Sequence, residues 1–120
     1  MNTDEITERV IGCAIAVSNA LGVGFLEKVY ENALTHELRK AGLQVQQQEP
    51  IRVRYDGVVV GDYTADLLVE NGVIVELKVA KGIDPVHEAQ LLNYLKATQT
   101  RVGLILNFGT PRLGIKRMVR

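Results

Sequence analysis

Residues 63–69, YTADLLV, and residues 73–80, VIVELKVA, are two apolar segments separated by a short turn. Both are rich in Val, Ile and Leu, which predicts two neighbouring β-strands. Each segment carries charge in its interior, Asp66 in the first and Glu76 with Lys78 in the second. Charged side chains inside apolar strands are costly unless they meet a metal ion or each other. These two segments therefore decide both the fold and the candidate site.

The loop Glu70-Asn71-Gly72 determines how the two strands pair. A two-residue turn would place Asp66 opposite Leu77 and would mix polar with apolar residues on each face. A three-residue turn keeps each face uniform, and the apolar pattern selects it because a one-residue slip moves every side chain to the other face. The predicted pairs are Val69 with Val73, Leu67 with Val75, Ala65 with Leu77, Asp66 with Glu76, and Thr64 with Lys78.

Glu76 and Lys78 share one face of their strand, because side chains alternate along a strand. An aspartate on the neighbouring strand can complete a site of oxygen ligands for Mg²⁺, to which the backbone carbonyl of Leu77 could contribute. Two carboxylates at one point repel each other and so favour a bound cation. Lys78 could orient or deprotonate an attacking water and offset phosphate charge. The pattern indicates a metal-dependent phosphodiesterase centre; the alternative is an ion pair on a solvated face.

The remaining pattern predicts helices around a mixed sheet. Three helices are expected, from Asn2 or Thr3 to about Leu21, from about Leu26 to Ala41, and from Asp84-Pro85 to about Thr98. The expected strands are Leu43–Gln48, Ile51–Tyr55, Val58–Val60, Tyr63–Val69, Val73–Val79, Val102–Phe108 and Leu113–Val119. The order is approximately α-α-β-β-β-β-α-β-β, which is an α/β (α+β) fold.

Length and composition narrow the class of protein. With 120 residues, 47% of them hydrophobic, we expect one globular domain over residues 1–120, without a membrane span or signal peptide. The single Cys13 has no disulfide partner, which indicates a reducing, cytoplasmic setting. A net charge of zero disfavours a protein that coats nucleic acid, but it is compatible with an enzyme that uses a local basic patch.

One basic cluster lies near the C-terminus, in the last expected strand. The same charges are equally typical of an edge strand protected against pairing with another chain. Homodimerisation through this edge stays open, although the charges favour an unpaired edge. The cluster consists of Arg112, Lys116, Arg117 and Arg120.

Two further pairs of polar residues could face the hairpin. Glu27 and Tyr30 lie three apart on the second helix, where Glu27 could supply a third carboxylate. A glutamate in the first turn is also favoured by the helix dipole alone. Gln90 and Tyr94 lie four apart on the third helix, and they could contact a phosphate, a water or a base. The alternative for this pair is the solvated side of an amphipathic helix.

The spacing Gly24-x-x-Glu27-x-x-Tyr30 resembles the motif that names the bacterial GxxExxY proteins. The match continues through residues 63–69, 75–78 and 104–109. That family resembles the PD-(D/E)XK nuclease superfamily, whose restriction-endonuclease-like core is a mixed β-sheet flanked by helices. One departure is visible, because Ala65 stands where the superfamily often has proline.

The resemblance assigns roles to the same residues. It implies that Asp66 and Glu76 are metal ligands, that Glu27 is an additional ligand and that Lys78 is the catalytic lysine. Gln90 and Tyr94 resemble the Gln-x-x-x-Tyr helix of the exonuclease branch of the superfamily. The candidate site is therefore catalytic at Asp66, Glu76 and Lys78, metal-binding at Asp66, Glu76, Glu27 and the Leu77 carbonyl, and substrate-binding at Gln90, Tyr94 and Tyr30.

The expected function is hydrolysis of nucleic-acid phosphodiester bonds with Mg²⁺ or Mn²⁺, on DNA more than on RNA. Two alternatives stand beside it. The first is a catalytically silent nuclease-fold domain for binding or assembly, which the low aromatic content and the absence of a DNA-binding motif favour. The second is a phosphohydrolase of small nucleotides, which needs no large basic surface.

Overall fold

A five-stranded mixed β-sheet with helices on both faces forms the centre of the fold. A computed structural model describes all 120 residues. Its elements are α1 (Thr3–Leu21), α2 (Glu27–Lys40), β1 (Val45–Tyr55), β2 (Val58–Val69), β3 (Val73–Lys78), α3 (Pro85–Thr98), β4 (Val102–Asn107) and β5 (Gly114–Val119). The strands lie in chain order across the sheet, and only β3 and β4 are parallel. This architecture confirms the predicted fold class.

The first half of the sheet has fewer and longer strands than the sequence pattern predicted. Residues 43–48 and 51–55, expected as two strands, lie mainly in the single strand β1, and residues 58–60 and 63–69 both lie in β2. Three strands therefore precede α3, where the sequence pattern predicted five separate strand segments. Pro50 does not end β1, because β1 is an edge strand and edge strands tolerate a residue without an amide N–H.

Buried side chains form one cluster on each face of the sheet. Helices α1 and α2 cover the larger cluster, whose strand members include Leu67, Val75 and Leu104. Helix α3 covers the smaller one, which includes Ile74 and Ile105. Strands β3 and β4 are thus buried on both sides, as expected for continuous apolar strands. None of the three helices is long and apolar enough to cross a membrane.

The long β1–β2 hairpin bends beside the candidate site. Leu67 belongs to the larger cluster and Ala65 to the smaller one, although alternate residues of a regular strand share a face. On β1, Gln48 has a positive φ of 53° and lies between the pairs that join Gln47 to Leu67 and Glu49 to Ala65. Asp66 lies across from this irregular residue, so the bend occurs where the charged residue leaves the regular strand.

Strand β5 forms the second edge of the sheet, as its charges predicted. Lys116 forms a salt bridge with Glu88 at 3.8 Å, and Arg117 forms one with Asp4 at 2.8 Å. Two members of the C-terminal basic cluster therefore bind acidic residues of this chain. That use matches the edge-strand interpretation of the cluster.

Candidate active site

Asp66 and Glu76 face each other where β2 and β3 separate. Regular pairing follows the predicted three-residue turn, with Val69 opposite Val73 and Leu67 opposite Val75, which confirms the predicted register. Beyond these pairs, side-chain carboxylates accept the backbone amides that carbonyl oxygens would accept in a regular sheet. The amide of Asp66 donates to Oε2 of Glu76 at 2.7 Å, and the amide of Leu77 donates to Oδ2 of Asp66 at 2.8 Å. Asp66 and Glu76 thus meet through a side chain and not as a backbone pair, and the further predicted backbone pairs, Ala65 with Leu77 and Thr64 with Lys78, do not form.

Burial and mutual repulsion disfavour the ionised forms of this carboxylate pair. Only 5% of Glu76 is exposed. Burial, followed by the charge of Asp66, raises the pKa of Glu76 to about 8. Burial also raises the pKa of Asp66, although the bond from the Leu77 amide opposes this. A cation beside the pair would favour the ionised forms and relieve the repulsion.

Lys78 and Glu27 lie beside the carboxylate pair. The charge of Lys78 lowers the pKa of Asp66, Glu76 and Glu27, so its ammonium group is near all three. Lys78 forms no salt bridge of its own. Glu27 is the first residue of α2, and the pKa of its carboxyl is raised by partial burial and then by the charge of Asp66. Asp66, Glu76, Lys78 and Glu27 are therefore close enough for their charges to affect one another.

Glu31, which the sequence pattern did not indicate, is only 2% exposed and lies behind the site. Its carboxylate accepts hydrogen bonds from Nζ of Lys28 at 2.8 Å, from Nε2 of Gln47 at 2.7 Å and from Nε2 of Gln48 at 2.8 Å. Its charge is one cause of the raised pKa of Asp66. Glu31 follows Glu27 by four residues, and this same-face helical spacing was the available signal.

Gln90 and Tyr94 also reach this region of the molecule. Nε2 of Gln90 donates to the hydroxyl oxygen of Tyr94 at 3.1 Å, so the two residues share one helix face. Burial raises the pKa of Tyr94, and the charges of Glu76 and Asp66 add to the effect. The hydroxyl of Tyr94 therefore lies near the carboxylate pair.

The structure contradicts a substrate-binding role for Tyr30, which has 0% exposure. Its hydroxyl donates to the carbonyl of Gly22 at 2.6 Å and accepts from the amide of Phe25 at 3.2 Å. Its ring stacks on Phe108, with 4.9 Å between the ring centroids. Tyr30 therefore holds the loop between α1 and α2 and positions the start of α2, which carries Glu27.

This assignment predicts that Tyr30→Phe destabilises the protein. Loss of the hydroxyl should lower the free energy of unfolding by about 1 to 2 kcal/mol, because the Phe25 amide and the Gly22 carbonyl each lose a partly buried hydrogen bond. Urea denaturation would measure the change. Tyr55→Phe is the matched control, since Tyr55 is exposed, and it should stay within about 0.5 kcal/mol of wild type. Unchanged stability with impaired substrate binding in Tyr30→Phe would restore the substrate role.

Asn107 fixes the chain just after Lys78. It is buried, its Oδ1 accepts from the amides of Ala80 at 3.0 Å and Gly109 at 3.1 Å, and its Nδ2 donates to the Ala80 carbonyl at 3.0 Å. A Cβ on Gly109 would lie 2.3 Å from that carbonyl oxygen, so only glycine permits this approach. Asn107 and Gly109 thereby hold the end of β3 in place.

The oxygen ligands of the site suit a hard divalent cation, but they do not converge on one point. No three Asp, Glu, His or Cys side chains in this structure are placed to hold a metal ion. Asp66 and Glu76 accept backbone amides instead, and Glu31 accepts glutamine side chains. Carboxylate oxygens are nevertheless the ligands that Mg²⁺ and Mn²⁺ prefer. Several carboxylates with raised pKa lie here beside a single ammonium group. Metal binding would require the carboxylates to exchange some of these hydrogen bonds for the ion.

Comparison with known proteins identifies the family of this chain. The chain belongs to the PD-(D/E)XK nuclease superfamily, whose family model matches residues 4–118. The crystal structure of SSO0001 has a similar fold, with a TM-score of 0.58 and 17% sequence identity over 78% of this chain and 50% of that chain. This chain thus spans half the length of that protein, and the likeness concerns the fold alone. No curated protein matches the chain. Membership of the GxxExxY family stays a prediction.

Proposed function

We propose that this protein is a nuclease that hydrolyses nucleic-acid phosphodiester bonds with Mg²⁺ or Mn²⁺. The observation that carries the proposal is the junction of β2 and β3, where Asp66 and Glu76 face each other beside Lys78 in a chain of the PD-(D/E)XK superfamily. The lone cysteine, which has no disulfide partner, supports a cytoplasmic setting for this activity.

The proposed metal ligands are Asp66, Glu76, Glu27 and the backbone carbonyl of Leu77. A divalent ion, when bound, neutralises phosphate charge and lowers the pKa of water. Ionised Asp66 and Glu76 hold that ion, and the amide of Leu77 orients Asp66. The network of Glu31 with Gln47 and Gln48 supports the same strand from behind.

Lys78 is proposed as the catalytic lysine. It forms no salt bridge, so its ammonium group is available to orient the attacking water and to stabilise charge that develops on the phosphate. Gln90 and Tyr94 are proposed to bind the substrate phosphate, since their amide and hydroxyl groups lie on the side of the site that α3 covers.

A catalytically silent binding domain is the competing proposal. The observation that favours it is the absence of three converging metal ligands in this structure. The two proposals differ in their response to metal and substrate. Both responses can be measured on the same preparation.

The decisive experiment incubates wild type and Glu76→Gln with single-stranded DNA, duplex DNA, RNA and mononucleotides, in Mn²⁺ or in EDTA. We expect cleavage only with Mn²⁺, with DNA preferred to RNA, and a loss of about 10²-fold or more in Glu76→Gln. Mn²⁺ should also raise the melting temperature of wild type but not of Glu76→Gln, because only a folded carboxylate pair binds the ion. Glu37→Gln, on the far end of α2, is the control and should behave as wild type.

Each outcome selects one proposal. Cleavage of mononucleotides alone would replace the nuclease with a small-nucleotide phosphohydrolase. A metal-dependent rise in melting temperature without any cleavage would support the silent binding domain. A wild-type melting temperature that is the same with Mn²⁺ and with EDTA would overturn the metal site.

A further inference from the structure

A groove of about 970 Å³ lies between α3 and the β1–β2 hairpin. It is separate from the acidic pair, since neither Asp66 nor Glu76 lines it. Gln90 and Tyr94 line it and also belong to the candidate site, so the groove leads away from that site. The groove could therefore hold a part of the substrate that is distant from the bond to be cleaved.

The charges around this groove are of one sign. Arg52, Arg54 and Lys96 line it, and no acidic residue does, although acidic and basic residues are equal in number over the whole chain. None of the three cations forms a salt bridge within the protein. Asp62 lies opposite Arg52 in the strand ladder, yet the two side chains do not pair. Three uncompensated cations in one concave surface suit successive phosphate groups.

An aromatic surface lies in the same groove. Tyr63 is 50% exposed, and its ring centroid is 5.8 Å from that of Tyr94 at an interplanar angle of 40°. Tyr94 is buried and therefore supports Tyr63 from one side. An exposed ring beside cations is the arrangement that stacks a nucleobase while its backbone is held electrostatically.

The size of the groove favours an unpaired strand over a duplex. Its volume is near the upper limit of about 300–1,000 Å³ for sites that enclose small ligands, so it can take a few nucleotides but not the full width of a double helix. Stacking on Tyr63 also needs a base whose face is not covered by a neighbouring base pair. Tyr63 precedes Asp66 by three residues, which is about 10 Å along a strand. A nucleotide on Tyr63 is therefore a short distance along the chain from the acidic pair.

We infer that this groove binds single-stranded nucleic acid, with phosphates on Arg52, Arg54 and Lys96 and a base stacked on Tyr63. The bound strand then extends past Gln90 and Tyr94 towards the carboxylate pair. The path of the strand towards the carboxylate pair rests on the proposed nuclease function, whereas binding in the groove does not.

Fluorescence anisotropy in EDTA tests the inference without requiring cleavage. The probes are a labelled oligothymidylate of twelve nucleotides, an oligouridylate of the same length and a DNA duplex of twelve base pairs. Wild type should bind at least one single strand more tightly than the duplex, and the two single-stranded probes distinguish DNA from RNA. Arg52→Ala/Arg54→Ala should weaken binding at least tenfold and should reduce the slope of log affinity against log salt by about 1.4, because each lost phosphate contact removes about 0.7.

Matched variants separate the groove from general charge and from folding. Arg9→Ala/Lys40→Ala removes two positive charges from the helices on the other face of the sheet and should leave binding unchanged. Tyr63→Ala should weaken binding about tenfold, whereas Tyr63→Phe should retain it because the stacking face remains. Circular dichroism and thermal melting confirm that each variant is folded.

The inference is overturned if the duplex binds as tightly as the single strands, or if the arginine pair and its control behave alike. Binding by the groove without any cleavage in Mn²⁺ would reject the nuclease proposal and leave the groove assignment standing. Metal-dependent cleavage by a protein in which Arg52→Ala/Arg54→Ala leaves binding unchanged would reject the groove assignment and leave the nuclease proposal standing. The two proposals therefore fail separately.

Discussion

Lys78→Ala should lower the rate of phosphodiester cleavage by about 10²- to 10³-fold, because the transition state loses its one adjacent ammonium group. The melting-temperature rise produced by Mn²⁺ should persist, since Lys78 repels rather than ligates a cation. Single-turnover rates at saturating Mn²⁺, with thermal melting of the same samples, would measure both effects. The variant should fold, because no hydrogen bond or salt bridge depends on the Lys78 side chain.

Lys40→Ala is the control for this substitution. Lys40 is an exposed lysine that pairs only with Glu37 at the end of α2, so its loss should leave the cleavage rate within about twofold of wild type. Cleavage that persists in Lys78→Ala would assign the activity to another site or to a contaminating nuclease. Loss of both cleavage and the Mn²⁺ effect would show that Lys78 supports the fold of the site and not only its chemistry.

In metal-free protein the free energy of unfolding should fall by on the order of 3 kcal/mol between pH 5 and pH 8. Burial and the charge of Asp66 raise the pKa of Glu76 from 4.5 to about 8. Across this window the unfolded chain has released that proton while the folded protein still binds it, so rising pH favours unfolding. Below pH 4.5 both states bind the proton, and the stabilising contribution is fully present.

Urea denaturation in EDTA at several pH values would measure this dependence. Glu76→Gln should flatten it, because the amide does not titrate. Mn²⁺ should restore stability at pH 8, where the ionised carboxylates bind the ion most strongly. If Glu76→Gln keeps the same dependence on pH as wild type, other groups cause it and the pKa assigned to Glu76 is wrong.

Local patterns were sufficient to predict the β2–β3 hairpin. Its register depends on the alternation of apolar residues and on the length of the turn, both of which are visible within a few residues. The third helix was equally clear, because Asp84 caps it and Pro85 occupies its first position. The spacing of Gln90 and Tyr94 placed both on one helix face, and the structure joins them by a hydrogen bond.

Other features depend on contacts between residues far apart in the chain. The burial of Tyr30 requires Phe108 and the loop carbonyl of Gly22, so its spacing from Glu27 alone suggested a substrate role that the fold excludes. The buried carboxylate of Glu31 is satisfied by two glutamines of β1. Neither the contacts of Tyr30 nor the hydrogen bonds of Glu31 can be predicted from the periodicity of a helix.

The sequence by itself therefore determined the strand register, the helix that carries Gln90 and Tyr94, and the presence of charge within apolar strands. Only the tertiary structure decided that the Asp66 amide donates to the Glu76 carboxylate and the Leu77 amide to the Asp66 carboxylate, and that Arg52, Arg54 and Lys96 line one groove. The physical reason is that a local pattern fixes which side chains share a face of one element. Which faces meet depends on the packing of elements that are distant in the sequence.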